Sequence, residues 1–393
     1  MTPSKKQKIV WLHSHTLLST GGTRFIFEVL KQLSEKYTIE LVVEKSSSEW
    51  KSKFESERVV VTQTSAMTST SIVYWLFLPY FLVQNYRVVK KILADDDIVI
   101  SSMFPFNLIG SLLSSKHIFY CFEPFAFFYD KDLMKEQGFV KYILLEVLKT
   151  LYSWLDVYGT KKANKLLAIN PSVGKSIKKI YEVTPNLYSY LGVDTKHFSP
   201  GSSSKKNKLV TFFHSTDYTP LKGTNYLINT LQYLKKYKGK FKVVISESIE
   251  NMAARRKILE TVSEYEMQDS LHFLGHLSYN DLPKEYFKST AYLFLGNPNA
   301  TGATSASLSV LEAQSCGLPV LRSIGNTDEI IDGKTGFYID PRNTKELAIR
   351  MEDVIINPNT YIKMAKACRK HITSRYTWDS VAKVFIQSIE SLQ

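Results

Sequence analysis

Cysteine is scarce in this chain. There are three in 393 residues, Cys121, Cys316 and Cys368, and none lies near another in sequence. An odd count without close spacing suggests neither a disulfide framework nor a zinc site, and it fits a reducing compartment. Long hydrophobic runs are lacking too. The most apolar stretch, Ile72 to Val83, is interrupted by Pro79 and falls short of the roughly 20 residues that a spanning helix needs. The first residues, Met1 to Lys8, are short, polar and basic, and a strand-like run begins at once, so no secretory signal is expected. Long polar tracts are missing as well, which argues against disorder.

Acidic residues are in deficit. Lys and Arg number 50 against 37 Asp and Glu, a formal net charge of +13. The surplus is not a tail. Residues 1–200 carry 25 basic and 18 acidic side chains, a balance of +7, and residues 201–393 carry 25 and 19, a balance of +6. That balance favours an anionic partner, such as a membrane surface or a phosphorylated ligand. No RNA-binding aromatic signature accompanies the basic residues, so nucleic acid is not expected as a partner.

What is present is an alternation. Short β-branched and aromatic runs at 8–13, 39–43, 59–62, 97–102, 117–122 and 165–169 are separated by helix-like segments. The pattern restarts after the polar stretch Gly201-Ser-Ser-Ser-Lys-Lys, with runs at 208–214, 241–246, 271–275, 291–296, 319–323 and 336–340. Helices are predicted over 22–35, 139–161, 225–237, 279–288 and 305–316. Alternating β and α elements mean parallel sheets with helices on both faces. The fold class expected is therefore α/β, with two facing doubly wound Rossmann-like domains, residues 1–195 and 205–375. The segment 376–393 is expected as a helix returning to the first domain. Ligands of such sheets bind at the carboxyl ends of the strands, and a cleft between two of them is the natural site.

Several motifs carry chemistry. After the first strand comes Ser19-Thr-Gly-Gly-Thr, where Gly21 and Gly22 open a helix whose N-terminus suits an anion. The second half reads Leu221-Lys-Gly-Thr-Asn-Tyr, Phe273-Leu-Gly-His, Ser309-Val-Leu-Glu-Ala-Gln-Ser-Cys-Gly-Leu-Pro-Val, Gly325-Asn-Thr-Asp-Glu and Thr335-Gly-Phe. Lys222 can stand as a point charge on a diphosphate, with Gly223 leaving room for it. A helix from Ser305 to Cys316 is well signalled, with Thr304 or Ser305 as N-cap and Gly317 and Pro319 past its end. Glu312 lies inside that helix, and a carboxylate can accept two hydrogen bonds from a vicinal diol. Asp95-Asp-Asp precedes a strand directly and is read as a turn rather than a metal motif.

In order and spacing these segments resemble the retaining GT-B glycosyltransferases of family 4, the glycosyl transferases group 1. Leu191-Gly-Val-Asp-Thr-Lys-His-Phe-Ser-Pro resembles that family's junction between domains. The resemblance implies transfer of a sugar from a nucleotide diphosphate sugar, such as a UDP- or GDP-sugar, to a glycan or lipid-linked acceptor, with retention. No metal and no cofactor is implied. It implies Lys222 as a catalytic residue; Glu123, in the aromatic segment Phe122-Glu-Pro-Phe-Ala-Phe-Phe-Tyr-Asp, is expected to face the cleft and contact the acceptor, and is the second catalytic candidate. The donor-binding residues it implies are Gly21, Gly22, Gly223, Thr304, Ser305, Leu308, Ser309 and Glu312, the last on the ribose. The scattered cysteines and the lack of a secretory signal suggest a cytoplasmic protein, and the aromatic run Ile72–Val83 with Arg87, Lys90 and Lys91 after it suggests an anionic membrane surface as a partner.

Three positions depart from the family pattern. Thr304 stands where a donor-sugar glutamate is usual, Asp217 where a phosphate-binding arginine is usual, and Phe122-Glu-Pro where a His-Pro is usual. They leave open an unusual donor, compensation by Arg24 or Arg322, or a non-catalytic copy that binds nucleotide or supports a partner subunit. Nucleotide-sugar epimerases share the architecture, although the Leu311-Glu-Ala…Cys-Gly-Leu-Pro-Val pattern is more typical of transferases.

Overall fold

The computed structural model describes the chain outside residues 1–5, 19, 66, 137, 202–208, 220–221, 297, 299–305 and 326. It separates into two compact units, Met1–Leu191 with Trp378–Gln393, and Gly192–Thr377.

The first unit holds seven strands: β1 (Lys8–Thr16), β2 (Thr38–Ser46), β3 (Val59–Gln63), β4 (Ile98–Ser101), β5 (His117–Cys121), β6 (Lys165–Ala168) and β7 (Leu187–Tyr188). They form one sheet in the order β3-β2-β1-β4-β5-β6-β7, and every pairing is parallel. β4 and β5 are buried on both faces, which explains their nearly continuous apolar runs. The order reverses between β1 and β4, so the topological switch point lies there. The helix Trp378–Glu390 packs in this unit on the helix Gly21–Ser34. Its Phe385 ring lies 5.3 Å from Trp11 and from Tyr120.

The second unit holds β8 (Val210–Thr216), β9 (Phe241–Glu247), β10 (Leu271–Gly275), β11 (Ala291–Phe294), β12 (Val320–Ser323) and β13 (Gly336–Ile339). Their order is β10-β9-β8-β11-β12-β13, again all parallel. The switch point here lies between β8 and β11. A core of Phe212, Leu227, Val243, Ile245, Leu293 and Met351 fills the space between sheet and helices.

The break between units falls at Leu191/Gly192 rather than at the polar stretch after Gly201. Side-chain chemistry accounts for the difference. The Arg369 guanidinium donates to the carbonyls of Thr195 and Phe198, both at 2.7 Å, and Ser315 Oγ donates to Phe198 O at 2.6 Å. Asp194 accepts from the amides of Lys196 and His197. The Gly-Val-Asp junction is thus fastened to the second unit by charge-assisted bonds.

The aromatic run Ile72–Val83 forms two helices, Ile72–Leu76 and Leu78–Ile92. Tyr74, Trp75 and Leu78 are buried in a cluster with Phe104, Phe128 and Leu148. Val73, Leu76, Phe77, Tyr80 and Val83 are exposed. The run is therefore half core and half surface.

Candidate functional site

The Lys222 turn follows β8, and the helix Leu308–Ser315, which carries Glu312, follows β11. β8 and β11 are hydrogen-bonded neighbours, so the two elements flank the switch point of the second unit at the carboxyl ends of its strands. That is where doubly wound sheets bind ligands.

A relay of hydrogen bonds builds the Lys222 turn. His214 is buried near the end of β8; its Nδ1 lies 3.0 Å from Leu293 O and its Nε2 3.0 Å from Thr224 Oγ1. A carbonyl only accepts, so Nδ1 carries the proton and Nε2 accepts from Thr224. Thr224 Oγ1 then accepts from Thr216 Oγ1 at 2.7 Å, which in turn accepts from the Tyr218 amide at 2.9 Å. Burial lowers the His214 pKa to about 4, the Leu293 carbonyl opposes this, and the nearby Lys222 charge adds to it. The imidazole is neutral around pH 7, as the relay requires.

Lys222 itself is half-buried, its amide donating to Thr219 O at 3.1 Å. Gly223 beside it has φ +70°, and a Cβ there would lie 1.7 Å from Leu295 O. On the side where a Cβ would stand, the Leu295 carbonyl fills the space beside Gly223. Glycine is required because backbone meets backbone in a left-handed conformation. Asp217, at the position of the family arginine, accepts from the Thr219 amide at 2.9 Å and from its hydroxyl at 2.6 Å. It is a turn-forming carboxylate that shapes the loop.

Glu312 is only 4% exposed, and it accepts from Tyr286 Oη at 3.3 Å. Burial and the Glu312 charge push the Tyr286 phenol well above its usual range, so Tyr286 remains a donor. Tyr286 meets Phe213 and Tyr292 edge-on, at 5.3 and 5.6 Å. Ser309 lies in the first turn, its Oγ 2.9 Å from Ser307 Oγ. Leu308 opens the helix.

The start of this helix corrects the sequence reading. Its N-cap is Ser307, with φ −142° and ψ 118°, and the helix runs from Leu308. Thr304 and Ser305, expected as donor contacts and caps, lie outside the described residues. The Ser307 amide donates to Glu329 Oε1. Glu329 Oε2 accepts from Arg322 Nε at 2.9 Å and from Arg322 Nη2 at 2.8 Å, and both residues are buried. Gln314 Nε2 binds the Glu329 carbonyl at 2.6 Å. Arg322, a candidate to replace the missing arginine, is thus fully enclosed and held by Glu329, with its guanidinium 5.1 Å from the Phe294 ring centroid. It anchors the carboxylate that holds the Ser307 amide at the helix start. Burial raises the Glu329 carboxyl, while Arg322 and the Ser307 amide pull it back.

In the first unit, Gly21 and Gly22 open the helix Gly21–Ser34, and Thr20 Oγ1 caps it by accepting from the Thr23 amide at 3.2 Å. A Cβ at Gly22 would meet only Thr20 Oγ1, at 3.8 Å, so packing does not demand glycine there. Arg24 is half-buried in the first turn. His13, near the end of β1, lies 2.9 Å from Ser102 Oγ just past β4, bridging this unit's switch point. Glu123 follows β5; burial and the Asp130 charge raise its carboxyl to about 7. Asp95-Asp-Asp is a turn, its ends joined by Ala94 and Asp97 in two bonds of 3.0 Å.

Sequence reasoning missed the His214–Thr224–Thr216 relay, although Thr224 sits two residues from Lys222. It also missed Arg369 and the Arg322–Glu329 pair. In the pair only the Asp328-Glu329 motif was a signal, and it pointed to ligand binding rather than to the helix cap.

The profile of the family described as "Glycosyl transferases group 1" matches residues 194–371. A sucrose synthase from Melioribacter roseus is 30% identical over 156 residues, covering 37% of this chain and 19% of that protein. A GDP-mannose-dependent alpha-(1-6)-phosphatidylinositol monomannoside mannosyltransferase from Mycobacterium tuberculosis is 23% identical over 203 residues, 49% of this chain and 52% of its own length. The chain thus spans about half or less of these curated relatives. Among solved structures, Anabaena HepE in complex with UDP aligns at TM-score 0.75 with 12% identity, over 98% of this chain and all of the other. Sucrose-phosphate synthase from Thermosynechococcus elongatus aligns at 0.74 with 14% identity, over 98% and 99%. At such identities the likeness establishes the fold, which is GT-B. The match to the glycosyl transferases group 1 family therefore spans residues 194–371, nearly all of the second unit.

Proposed function

We propose that the chain transfers a sugar from a UDP- or GDP-linked donor to a hydroxyl of a glycan or lipid-linked acceptor, with retention and without a metal ion. The observation that carries this reading is that Lys222 and the Glu312 helix flank one switch point inside the family-matched segment. In this reading the donor diphosphate lies between Lys222 and the N-terminus of the helix Leu308–Ser315. There fixed charge and helix dipole stabilise the leaving group without reorganising. Glu312 takes the ribose hydroxyls, with Tyr286 holding its other side. Glu123, whose carboxyl titrates near 7, is suited to exchange a proton with an acceptor hydroxyl at physiological pH. The reaction is placed in the cytoplasm, at an anionic membrane surface.

A thermal-shift screen with UDP, GDP and their sugars tests the reading without an acceptor. A nucleotide at 100 times its Kd stabilises the native state by about 2.7 kcal/mol. Glu312→Gln weakens that nucleotide by about 10- to 100-fold, the effect of losing a charged hydrogen-bond acceptor worth about 1.5–3 kcal/mol. A parent chain that no nucleotide shifts, or a variant that binds as the parent does, rejects the assignment. Asp217 in its turn-forming role favours one second reading, a module that binds nucleotide without turnover. Binding with no donor hydrolysis over long incubation identifies it.

A further inference from the structure

The helix Phe139–Lys162 is the longest among the described residues, and one of its faces is apolar and open to solvent. Ile143, Val147, Leu151, Trp154 and Tyr158 recur every three or four residues and are 42–61% exposed, and Phe139 and Val140, at 78%, extend the face at its start. Over these 20 residues the helix runs about 30 Å. Core packing does not explain the stripe, because the opposite side of the helix supplies the buried positions, Leu145, Leu148, Asp156, Gly159 and Thr160. Soluble proteins rarely leave a continuous apolar stripe of this kind uncovered.

Two features show that the face is fitted to lose water. Its Trp154 Nε1 donates to Leu151 O at 2.8 Å, and Thr150 Oγ1 donates to Glu146 O at 2.9 Å. Both polar groups are thus satisfied within the helix, and burying them leaves no unmet donor. Charge sits at the ends of the stripe. Lys141 is exposed at the start, and the far end is closed by Lys162 and by Lys161, whose Nζ lies 2.8 Å from Glu182 Oε2. Lys162 Nζ lies 5.9 Å from the Tyr158 ring. The exposed face between Lys141 and Lys161 has no acidic residue; Glu146 stands at its flank, 3.9 Å from Lys149.

We infer that this face docks on an anionic lipid bilayer, with the helix lying flat, its stripe in the headgroup–acyl boundary and its end lysines among the lipid phosphates. Aromatic and aliphatic side chains on one face with basic residues at the edges are what such an interface selects. Long lysine stems reach the headgroups while their carbons stay apolar. A second copy of the chain fits less well. Laid antiparallel on itself, the stripe brings its lysine-bearing ends together, and the Glu182 carboxylate there is already paired with Lys161. This names the surface behind the membrane placement above, while resting on the first unit alone and not on any transferase activity.

The tryptophans make the test specific. Trp11, Trp50, Trp75 and Trp378 are at most 6% exposed, whereas Trp154 is 61% exposed. The full chain is floated with vesicles of phosphatidylcholine alone or with 30% phosphatidylglycerol, in low and high salt and with no sugar donor present. Brominated lipid serves as quencher. Flotation on anionic vesicles is expected, with quenching of part of the emission. Trp154→Phe should remove the quenching and keep the binding. Val147→Glu combined with Leu151→Glu should reduce vesicle partitioning at least tenfold with an unchanged melting temperature, since both side chains are exposed. The inference is overturned if the parent does not float on anionic vesicles at low salt, or if the double variant binds as the parent does. It is equally overturned if sedimentation shows a dimer that the double variant dissociates, since the occupant is then a second copy. A chain that fails here and still responds to nucleotides leaves the transferase reading standing, and the converse result leaves the docking face standing.

Discussion

The two units are built alike and treat buried charge differently. In the first, two buried carboxyls, Asp156 and Glu44, face neutral donors. Asp156 accepts from Tyr181 Oη at 2.8 Å and Asn107 Nδ2 at 2.7 Å, and Glu44 accepts from the Ser69 amide at 2.7 Å. Burial lifts Asp156 to about 6 and Glu44 and Glu123 to about 7. In the second unit the buried Glu329 faces a guanidinium and a backbone amide. Hydroxyl and amide partners leave a carboxyl free to gain a proton near neutrality, whereas a guanidinium holds the carboxylate in place. The first unit therefore keeps groups that change charge at physiological pH, and the second fixes the geometry of one helix start with a permanent ion pair.

Arg322→Ala attacks that comparison at its strongest point. The variant leaves Glu329 buried with its cation gone, which costs about 3–5 kcal/mol. It should also loosen Ser307 and weaken whatever the helix Leu308–Ser315 binds. Replacing Arg322 and Glu329 together by Met and Leu should recover most of the stability but not the helix start. Urea unfolding followed by far-UV circular dichroism checks both. A loss below about 1 kcal/mol in the single variant would mean that the pair contributes little.

Gly223→Ala comes next. A left-handed backbone costs a non-glycine residue about 1–2 kcal/mol, and here the new Cβ also overlaps the Leu295 carbonyl. The Lys222 turn has to move, so nucleotide response should fall together with stability. A variant that melts and binds as the parent does would show that the turn is loosely held.

Acid acts on His214 and Glu123 with opposite sign. His214 titrates at about 4 in the folded chain against 6.5 as its ordinary value. Its folded pKa is depressed, so the unfolded chain binds the proton first. The stability of the neutral relay is complete above pH 6.5 and declines toward pH 4, by at most about 1.4 kcal/mol per pH unit. Glu123 runs the other way. Its carboxyl is raised to about 7 from 4.5, so the folded chain binds the proton more tightly, and acidification from pH 7 to 4.5 adds stability. His214→Gln should flatten the acid loss of the parent, and Glu123→Gln should steepen it. Urea midpoints at pH 7.5, 6 and 5 distinguish the slopes, and equal slopes in all three proteins would remove both assignments.

Much of this architecture was legible in the sequence because parallel strands announce themselves as short β-branched runs. The runs at 59–62, 117–122 and 271–275 match β3, β5 and β10 to within a residue. β7 was not legible, because two residues, Leu187 and Tyr188, carry no periodicity. The helix start at Ser307 was hidden for another reason. Thr304, Ser305 and Ser307 are all good local caps, and what decides is a carboxylate 22 residues further on. The docking face was missed because Ile143, Val147, Leu151 and Trp154 read as core when only spacing is considered. Which side of an apolar helix meets its own domain depends on the packing of Leu145 and Leu148, and no local pattern encodes it.

The smallest expected effect sharpens the contrast between the two glycine turns. Gly22 and Gly223 both stand beside the loop that follows the first strand of a doubly wound unit, and both look alike in sequence. Gly223 is held by a left-handed backbone and by the Leu295 carbonyl, whereas Gly22 lies in the first turn of a helix with its nearest obstacle at 3.8 Å. Alanine favours helix over glycine by up to about 1 kcal/mol. Gly22→Ala should therefore leave the melting temperature unchanged or raise it slightly. Any requirement for glycine at 22 would then come from a ligand that approaches the backbone, not from folding. Nucleotide and acceptor titrations of this stable variant separate the two. An intact fold with weakened ligand response marks the Gly21–Gly22 turn as a contact surface, and an unchanged response limits the donor site to the second unit. A marked loss of stability would contradict the open space seen at Gly22 and, with it, the distinction between the two turns.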